Sequence, residues 1–241
     1  MPLTTPPLTL LRDAALFLDF DGTLVPIAER PDAIRVEPEL RHLLARLQDR
    51  LEGRLTLISG RASADVRHWL TPLHVPVVGS HGLERDGAAV QRSAEFEQGL
   101  RHLRMVEARH PGVLVEEKPL GAALHFREAP EAEEACHTAA IHVAASTGMQ
   151  VQPGKMVFEI KPAEGDKGTA IDALMNEPRN AGRHPVFIGD DLTDEHGFAV
   201  VRDLGGAGIL VGQERHTAAT HRLRDVRDVH RWLNEASEEL S

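Results

Sequence analysis

The chain has 241 residues, 41% of them hydrophobic, so it can bury a substantial core in one large domain or two smaller ones, and we expect two. Its formal net charge of −10 argues against nonspecific nucleic-acid binding, which requires a basic surface. A phosphorylated ligand would therefore have to be attracted by local positive groups.

Cysteine content and hydropathy indicate a reducing compartment and no membrane partner. The single cysteine, Cys136, rules out an intrachain disulfide. No apolar run approaches the ~20 residues of a membrane span. The N-terminal segment has no basic residue ahead of its apolar positions, so it does not resemble a signal peptide. We expect a cytoplasmic protein.

The dominant local feature is an apolar strand that leads directly into two carboxylates and a glycine. The run 16–18 is typical of a strand buried on both faces of a parallel sheet, and Asp19, Asp21 and Gly22 follow it. In open α/β sheets, ligands bind at this edge. A simple Asp-Gly turn that closes the strand is the alternative.

A second βα unit follows. Leucines at helical spacing predict a helix that starts near Pro38 and ends before Gly53, and residues 55–58 form the next strand. That strand ends in Ser59-Gly60-Arg61, where a small hydroxyl followed by glycine would let backbone amides approach a phosphate. An ordinary turn with a solvated arginine is the alternative.

The pattern changes in the middle of the chain. After a helix over 63–70 and a strand over 75–78, the segments 113–118 and 122–127 alternate between apolar and polar residues, which predicts an antiparallel sheet with one wet face. Helices are predicted over 94–109 and 131–146. The sequence therefore predicts an α/β fold: a Rossmann-like parallel-sheet core (1–82 and 160–241) with an inserted α/β cap domain (83–159).

The C-terminal part returns to the buried-strand pattern. Lys167 begins a helix that runs through Met175, and a cation at this positive helix end would be explained by a bound phosphate. A strand over 185–188 ends in Asp190, Asp191 and Asp194, which could also cap the following helix. A last core strand over 208–212 and an amphipathic helix over 225–233 close the chain.

Four short motifs in this order resemble those of the haloacid-dehalogenase-type phosphohydrolases. They are Asp19-Phe20-Asp21-Gly22-Thr23, Ser59-Gly60, Lys167 and Gly189-Asp190-Asp191. The resemblance implies that Asp19 attacks phosphorus and that Asp21 is the general acid and base. It also implies that Lys167, Ser59 and Gly60 hold the phosphate. A covalent aspartyl-phosphate would divide a very slow hydrolysis into two easier steps.

The same acids require a cation when phosphate binds. Each like-charge pair about 4 Å apart costs on the order of 4 kcal/mol at an effective dielectric near 20. Mg²⁺, a hard ion that prefers oxygen ligands, is the expected cofactor. The resemblance assigns its ligands to the Asp19 and Asp190 carboxylates and the Asp21 carbonyl, with Asp191 or Asp194 in support.

The segment predicted as a cap carries information about the substrate. With the core motifs, the stretches 79–84, 116–118, 123–127 and 153–162 resemble bacterial trehalose-6-phosphate phosphatases, and the likeness runs from about Ala14 to Leu233. Pro119 departs from the small residue usual there and leaves the reach of Lys118 open. The resemblance implies substrate contacts by Arg61, His81, Glu84, Glu116, Lys118, Arg127, Lys155 and Glu159.

The expected activity is hydrolysis of trehalose 6-phosphate, the last step of trehalose biosynthesis, coupled in function to a trehalose-6-phosphate synthase. Three alternatives stay open. The protein could act on another phosphosugar, such as sucrose phosphate or mannosyl-phosphoglycerate. It could bind a phosphosugar without turnover. The charged positions at 116–118 and 159 could also simply mark the wet face of a sheet.

Overall fold

The protein is described by a computed structural model over residues 3–27, 34–84, 93–118, 120–162 and 166–240. The chain divides into two compact units, Met1–Gly87 with Gly165–Ser241 and Ala88–Glu164. The strands are β1 (Ala14–Leu18), β2 (Leu55–Ile58), β3 (Val77–Val78), β4 (Leu114–Lys118), β5 (Gly121–His125), β6 (Met149–Gly154), β7 (Val157–Pro162), β8 (His184–Gly189), β9 (Ala207–Val211) and β10 (His221–Leu223). The α-helices are α1 (Pro38–Arg50), α2 (Ser63–Leu70), α3 (Ala94–Arg109), α4 (Glu133–Thr147), α5 (Lys167–Met175), α6 (Glu195–Asp203) and α7 (Val226–Glu238).

The larger unit is built on a parallel sheet with the order β10-β9-β8-β1-β2-β3. β1 lies inside it, with Phe17 in register with Phe187 of β8 and Thr56 of β2. Every residue of β1 is buried, which explains why its sequence is continuously apolar instead of alternating. The predicted α/β fold with a parallel-sheet core is confirmed.

Helices cover both faces of this sheet. Leu16 and Leu18 belong to a buried cluster with the leucines of α1 and with Trp232 of α7. Phe17 points to the other face and belongs to a cluster with Ile171 of α5 and residues of α6. The alternation along β1 therefore supplies two apolar layers, and the polar residues are left to the ends of the strands.

The smaller unit is an antiparallel sheet of order β4-β5-β7-β6 with α3 and α4 packed on one face. Leu124, Phe158 and Ile160 face these helices. The sequence patterns picked out β4 and β5 but not β6 and β7. β6 ends in Pro153-Gly154, and because it is an edge strand it tolerates a proline that strand propensities disfavour.

Several helix and strand ends differ from the sequence prediction. α4 starts at Glu133, two residues late, because a 3-10 turn occupies Pro130–Ala132. α7 extends five residues beyond the predicted end, to Glu238. Within the described part of the chain, no helix is both long enough and apolar enough to cross a membrane.

The N-terminus of α7 provides a test of local stability. The Asp225 side chain accepts a hydrogen bond from Asp228 N at 2.9 Å and so caps the helix. We expect Asp225→Ala to lower the free energy of unfolding by about 1 kcal/mol in urea denaturation, because the capped N–H loses its partner. Asp203→Ala, which removes an exposed acid at the end of α6, should change it by less than about 0.5 kcal/mol. Equal effects of the two changes would contradict the cap.

Candidate active site

The candidate site lies at the carboxyl ends of three neighbouring strands. β8, β1 and β2 are adjacent in the sheet, so the residues that follow them, Asp190, Asp19 and Ser59, reach the same edge. Asp19 and Ser59 are buried and Asp190 is partly buried. This edge, where β1 has a neighbour on each side that comes from a different part of the chain, is where doubly wound sheets bind ligands.

A tight turn after β1 brings its acids close to those after β8. Gly22 has a φ of +77° and donates its N–H to Val25 O at 2.7 Å. A Cβ on Gly22 would lie 2.1 Å from Asp190 Oδ2. The close approach of Asp190 to this turn therefore requires a residue without a side chain, and the positive φ makes glycine the favourable choice.

Lys167, the first residue of α5, contacts two of these acids. Its ammonium donates to Asp19 Oδ1 at 2.8 Å and to Asp194 Oδ1 at 2.6 Å, and its side chain is 3% exposed. Burial alone would lower the pKa of Lys167, but the two carboxylates more than offset it, so the pKa is raised and the group stays charged. A phosphate is therefore not the sole reason for a lysine at this helix start, because Asp19 and Asp194 already balance its charge.

Asp194 organises the loop after β8. Its Oδ2 accepts from Asp190 N at 2.8 Å and from Asp191 N at 3.0 Å, while Oδ1 receives Lys167. Gly189 permits this fold-back, because a Cβ there would lie 2.4 Å from Asp194 Cγ. Asp191 accepts from Thr193 N and forms a capping box with Asp194. With both oxygens engaged by the protein, Asp194 is suited to orient Asp190 and Lys167.

The carboxylates of this edge form a cluster that fits a divalent cation. Asp19, Asp190 and Asp194 each offer an oxygen, and these oxygens lie within 4.8 Å of one another. Burial raises the pKa of Asp190 to about 6, with the neighbouring acids adding to the effect, and burial also raises the pKa of Asp19. Carboxylate oxygens are the ligands that hard cations prefer. Because Gly22 has no side chain, the Asp190 carboxylate can lie beside the turn.

The second acid of the turn, Asp21, has a different partner. Its two oxygens accept from Arg61 Nε at 2.6 Å and from Arg61 Nη2 at 2.8 Å. The main-chain N–H of Arg61 in turn donates to Ser59 Oγ at 3.1 Å. The predicted phosphate-binding Ser59 and Gly60 thus belong to a loop that also holds Asp21.

The loop after β3 braces this arrangement. Ser80 N donates to Arg61 O at 2.8 Å, and the buried Glu84 accepts from Ser63 N at 2.8 Å and Ser80 Oγ at 2.6 Å. The observed contacts of Glu84 therefore hold the two loops together, and its role in binding substrate stays a prediction. His81 lies in the turn Ser80–Gly82, but its side chain is outside the described part of the structure.

Sequence reasoning missed a second brace behind the loop after β8. Arg215 Nη2 donates to the carbonyls of Asp190 at 3.2 Å and Asp191 at 2.6 Å, and its guanidinium pairs with Glu195. Glu195 also accepts from Ala218 N at 2.8 Å. No short motif signals this contact, because it joins the loop between β9 and β10 to a segment more than twenty residues earlier.

The remaining predicted substrate residues belong to the smaller unit. Glu116 and Glu159 both pair with Ala123, so they share one cross-strand row on the sheet face opposite α3 and α4. Glu116 also contacts His125 at 2.9 Å. Arg127 and Lys155 are exposed. Lys118 of β4 lies opposite Gly121 of β5. The Lys118 side chain and Pro119 are outside the described part of the structure.

Gly22→Ala tests whether the close approach of Asp190 matters for cation binding. We expect calorimetric Mg²⁺ binding to be lost, because the new Cβ would displace the Asp190 carboxylate. Gly205→Ala is the matched control: its φ is also +77°, so both variants incur an αL cost of about 1–2 kcal/mol, but no atom lies within 4 Å of its Cβ. Unchanged binding by a folded Gly22→Ala protein would refute this role of the turn.

Comparisons with known proteins identify the family. The sequence profile of the trehalose-phosphatase family matches residues 17–227. A trehalose-6-phosphate phosphatase of Escherichia coli is 40% identical, over 96% of this chain and 89% of its own. A probable trehalose-phosphate phosphatase of Sinorhizobium fredii is also 40% identical, over 84% of this chain and 79% of its own. An Aspergillus fumigatus trehalose-6-phosphate phosphatase structure shares the fold, with a TM-score of 0.66 and 23% identity over 98% of this chain and 100% of its own. The chain belongs to the trehalose-phosphatase family.

Proposed function

We propose that the protein hydrolyses trehalose 6-phosphate to trehalose and inorganic phosphate through an aspartyl-phosphate on Asp19. Family membership supports the reaction. The observation that carries the mechanism is the buried Asp19 carboxylate, which lies at the end of β1, 2.8 Å from the Lys167 ammonium. A nucleophile held beside a fixed cation is the arrangement that phosphoryl transfer needs, since catalysis of this step is mostly positioning and charge stabilisation.

In the first half-reaction, an oxygen of Asp19 attacks phosphorus and the bond to the sugar oxygen breaks. Lys167 stays charged and compensates negative charge that develops on the phosphoryl oxygens. Ser59 and Gly60 end the neighbouring strand and would contribute hydrogen-bond donors to the same oxygens. Asp21 gives a proton to the departing sugar oxygen.

In the second half-reaction, Asp21 takes a proton from a water that attacks the aspartyl-phosphate. The phosphorus–Asp19 bond breaks, so the carboxylate is regenerated and inorganic phosphate leaves. One residue serves as acid and then as base because the proton it gives away in the first step is recovered in the second.

We propose Mg²⁺ as the cofactor, held by the carboxylates of Asp19 and Asp190 and the main-chain carbonyl of Asp21, with Asp191 and Asp194 in support. When bound, the ion supplies Lewis-acid charge neutralisation for the phosphoryl group. Asp194 orients Asp190 through its main-chain N–H, and Arg215 holds the Asp190 carbonyl from behind. These contacts keep the ligand loop in place independently of substrate.

For sugar recognition we propose hydrogen bonds from charged side chains, because a site that reads hydroxyls rejects ligands that leave its polar groups unpaired. Glu116 and Glu159 support this through their shared row on one face of the sheet. A trehalose-6-phosphate synthase would supply the substrate. We also propose a cytoplasmic location, which is consistent with the free, buried Cys136 because cytosolic thiols are kept reduced. The other proposed contacts are His81, Glu84, Lys118, Arg127 and Lys155.

Phosphate release measured over a panel of phosphosugars tests the reaction and its substrate. We expect trehalose 6-phosphate to give the highest kcat/KM, with sucrose phosphate and mannosyl-phosphoglycerate well below it. Asp19→Asn should abolish turnover, because an amide is a poor nucleophile and a weaker cation ligand.

Exhaustive chelation should also abolish turnover, and added Mg²⁺ should restore it. Substantial turnover by Asp19→Asn would refute the nucleophile, and a different preferred sugar would refute the substrate.

Glu159→Ala tests the proposed sugar contact. A lost hydrogen bond to a charged group is worth about 1.5–3 kcal/mol, so kcat/KM for trehalose 6-phosphate should fall about ten- to a hundredfold. The same variant should act almost normally on 4-nitrophenyl phosphate, which has no sugar.

Glu117→Ala is the matched control, since Glu117 is an acid of the same sheet that contacts Arg104 of α3. It should leave both substrates nearly unaffected. Equal losses on the two esters in Glu159→Ala would show that the acid is structural.

A further inference from the structure

The side chain of Asp21 is held apart from the acids that surround Lys167. Asp19, Asp190 and Asp194 form the carboxylate cluster found among the described residues, whereas both Asp21 oxygens face the Arg61 guanidinium. The two N–H groups, at 2.6 and 2.8 Å, make the bidentate geometry that arginine forms with carboxylates. This pairing fixes the direction of the carboxylate as well as its charge.

Arg61 is itself fixed on several sides. Its Cζ lies 4.9 Å from the centre of the Trp69 ring, a cation–π distance. Trp69 stacks with Phe20, the buried residue between Asp19 and Asp21, at 6.4 Å and 15°. Ser80 N holds the carbonyl of Arg61. The Arg61 side chain is only 17% exposed, and its contact with the Trp69 ring, which stacks on Phe20, sets the position of the guanidinium.

We propose that Arg61 is a positioning residue that aims the Asp21 carboxylate at the leaving oxygen. The proposal rests on the proposed function, in which Asp21 exchanges a proton with that oxygen. A carboxylate has about four lone-pair sites and the fork occupies two, so its oxygens can still exchange a proton. Lysine could supply the charge of Arg61 but not its planar fork. Arg61 thus acts through Asp21, and a direct contact with the sugar is the competing role.

The test uses aryl phosphates, which contain no sugar and differ in how much the leaving oxygen needs a proton. We expect Arg61→Ala to lower kcat/KM about ten- to a hundredfold for phenyl phosphate, because a misplaced acid protonates poorly. The loss should be smaller for 4-nitrophenyl phosphate and slight for 2,4-dinitrophenyl phosphate, whose leaving group departs unprotonated. Because kcat/KM reports only the steps through phosphoryl transfer to Asp19, hydrolysis of the intermediate does not enter it.

A double-mutant cycle separates Arg61 from a general structural role. Asp21→Asn should show the same dependence on the leaving group, and adding Arg61→Ala to it should cause no further loss, because the group through which Arg61 acts is already disabled. Arg61→Lys should resemble Arg61→Ala. Arg67→Ala is the matched control, since Arg67 contacts Ser63 Oγ in the same region and should retain a normal leaving-group profile. Circular dichroism confirms that each variant is folded.

The outcomes distinguish this inference from the proposed function. Equal losses over the three esters in Arg61→Ala, or losses that add to those of Asp21→Asn, would overturn the positioning role and leave the acid role of Asp21 standing. Losses confined to trehalose 6-phosphate would make Arg61 a sugar contact instead. A flat profile for Asp21→Asn would overturn the acid role of Asp21 itself, and this inference with it.

Discussion

The candidate site depends on one buried ion pair network, the contact of Lys167 with Asp19 and Asp194. Removing charges from water costs several kcal/mol each, and a pair that loses one partner is destabilised by about 3–5 kcal/mol. Here the lysine pairs with two buried carboxylates, Asp19 directly after β1 and Asp194 in the loop after β8. Three acids and one lysine still leave excess negative charge, and that excess is what makes the edge suited to a cation. The same charges therefore stabilise the loops and set their chemistry.

Residues without side chains determine how closely those charges can approach. Gly22 lets Asp190 reach the turn after β1, and Gly189 lets Asp194 fold back on the loop that precedes it. Behind them, Arg215 and Glu195 tie the loop after β8 to the segment before β10. The rigid sheet fixes the positions of the strand ends, and these contacts fix the directions in which individual side-chain oxygens point. Function thus rests on supporting contacts as much as on the acids themselves.

Sequence reasoning succeeded where a residue's local pattern carries its structural role. The continuously apolar run of β1 indicated a strand buried on both faces, and the resemblance carried by short motifs indicated the family. It did not identify β6, because Pro153 and Gly154 contradict strand propensity, and the strand is stabilised by pairing with β7 and by packing of Val151 on the core of the smaller unit. Nor could it pair Arg61 with Asp21 or Arg215 with Asp190, since such contacts depend on where distant loops meet. The predicted sugar contacts stay predictions for the same reason.

The position of β1 between β8 and β2 has a consequence for the timescale on which the site can open. Local opening in proteins ranges from fraying loops to global unfolding, and strands with hydrogen-bonded neighbours on both sides belong to the slowest exchanging units. Asp19 N donates to Ile188 O at 2.9 Å, so the strand hydrogen bonding continues up to the candidate nucleophile. The backbone at Asp19 should therefore open about as rarely as the whole fold unfolds. Around Asp19, we therefore expect fluctuations during turnover in the turn that starts at Asp21 and in the loops that brace it, and not in β1 itself.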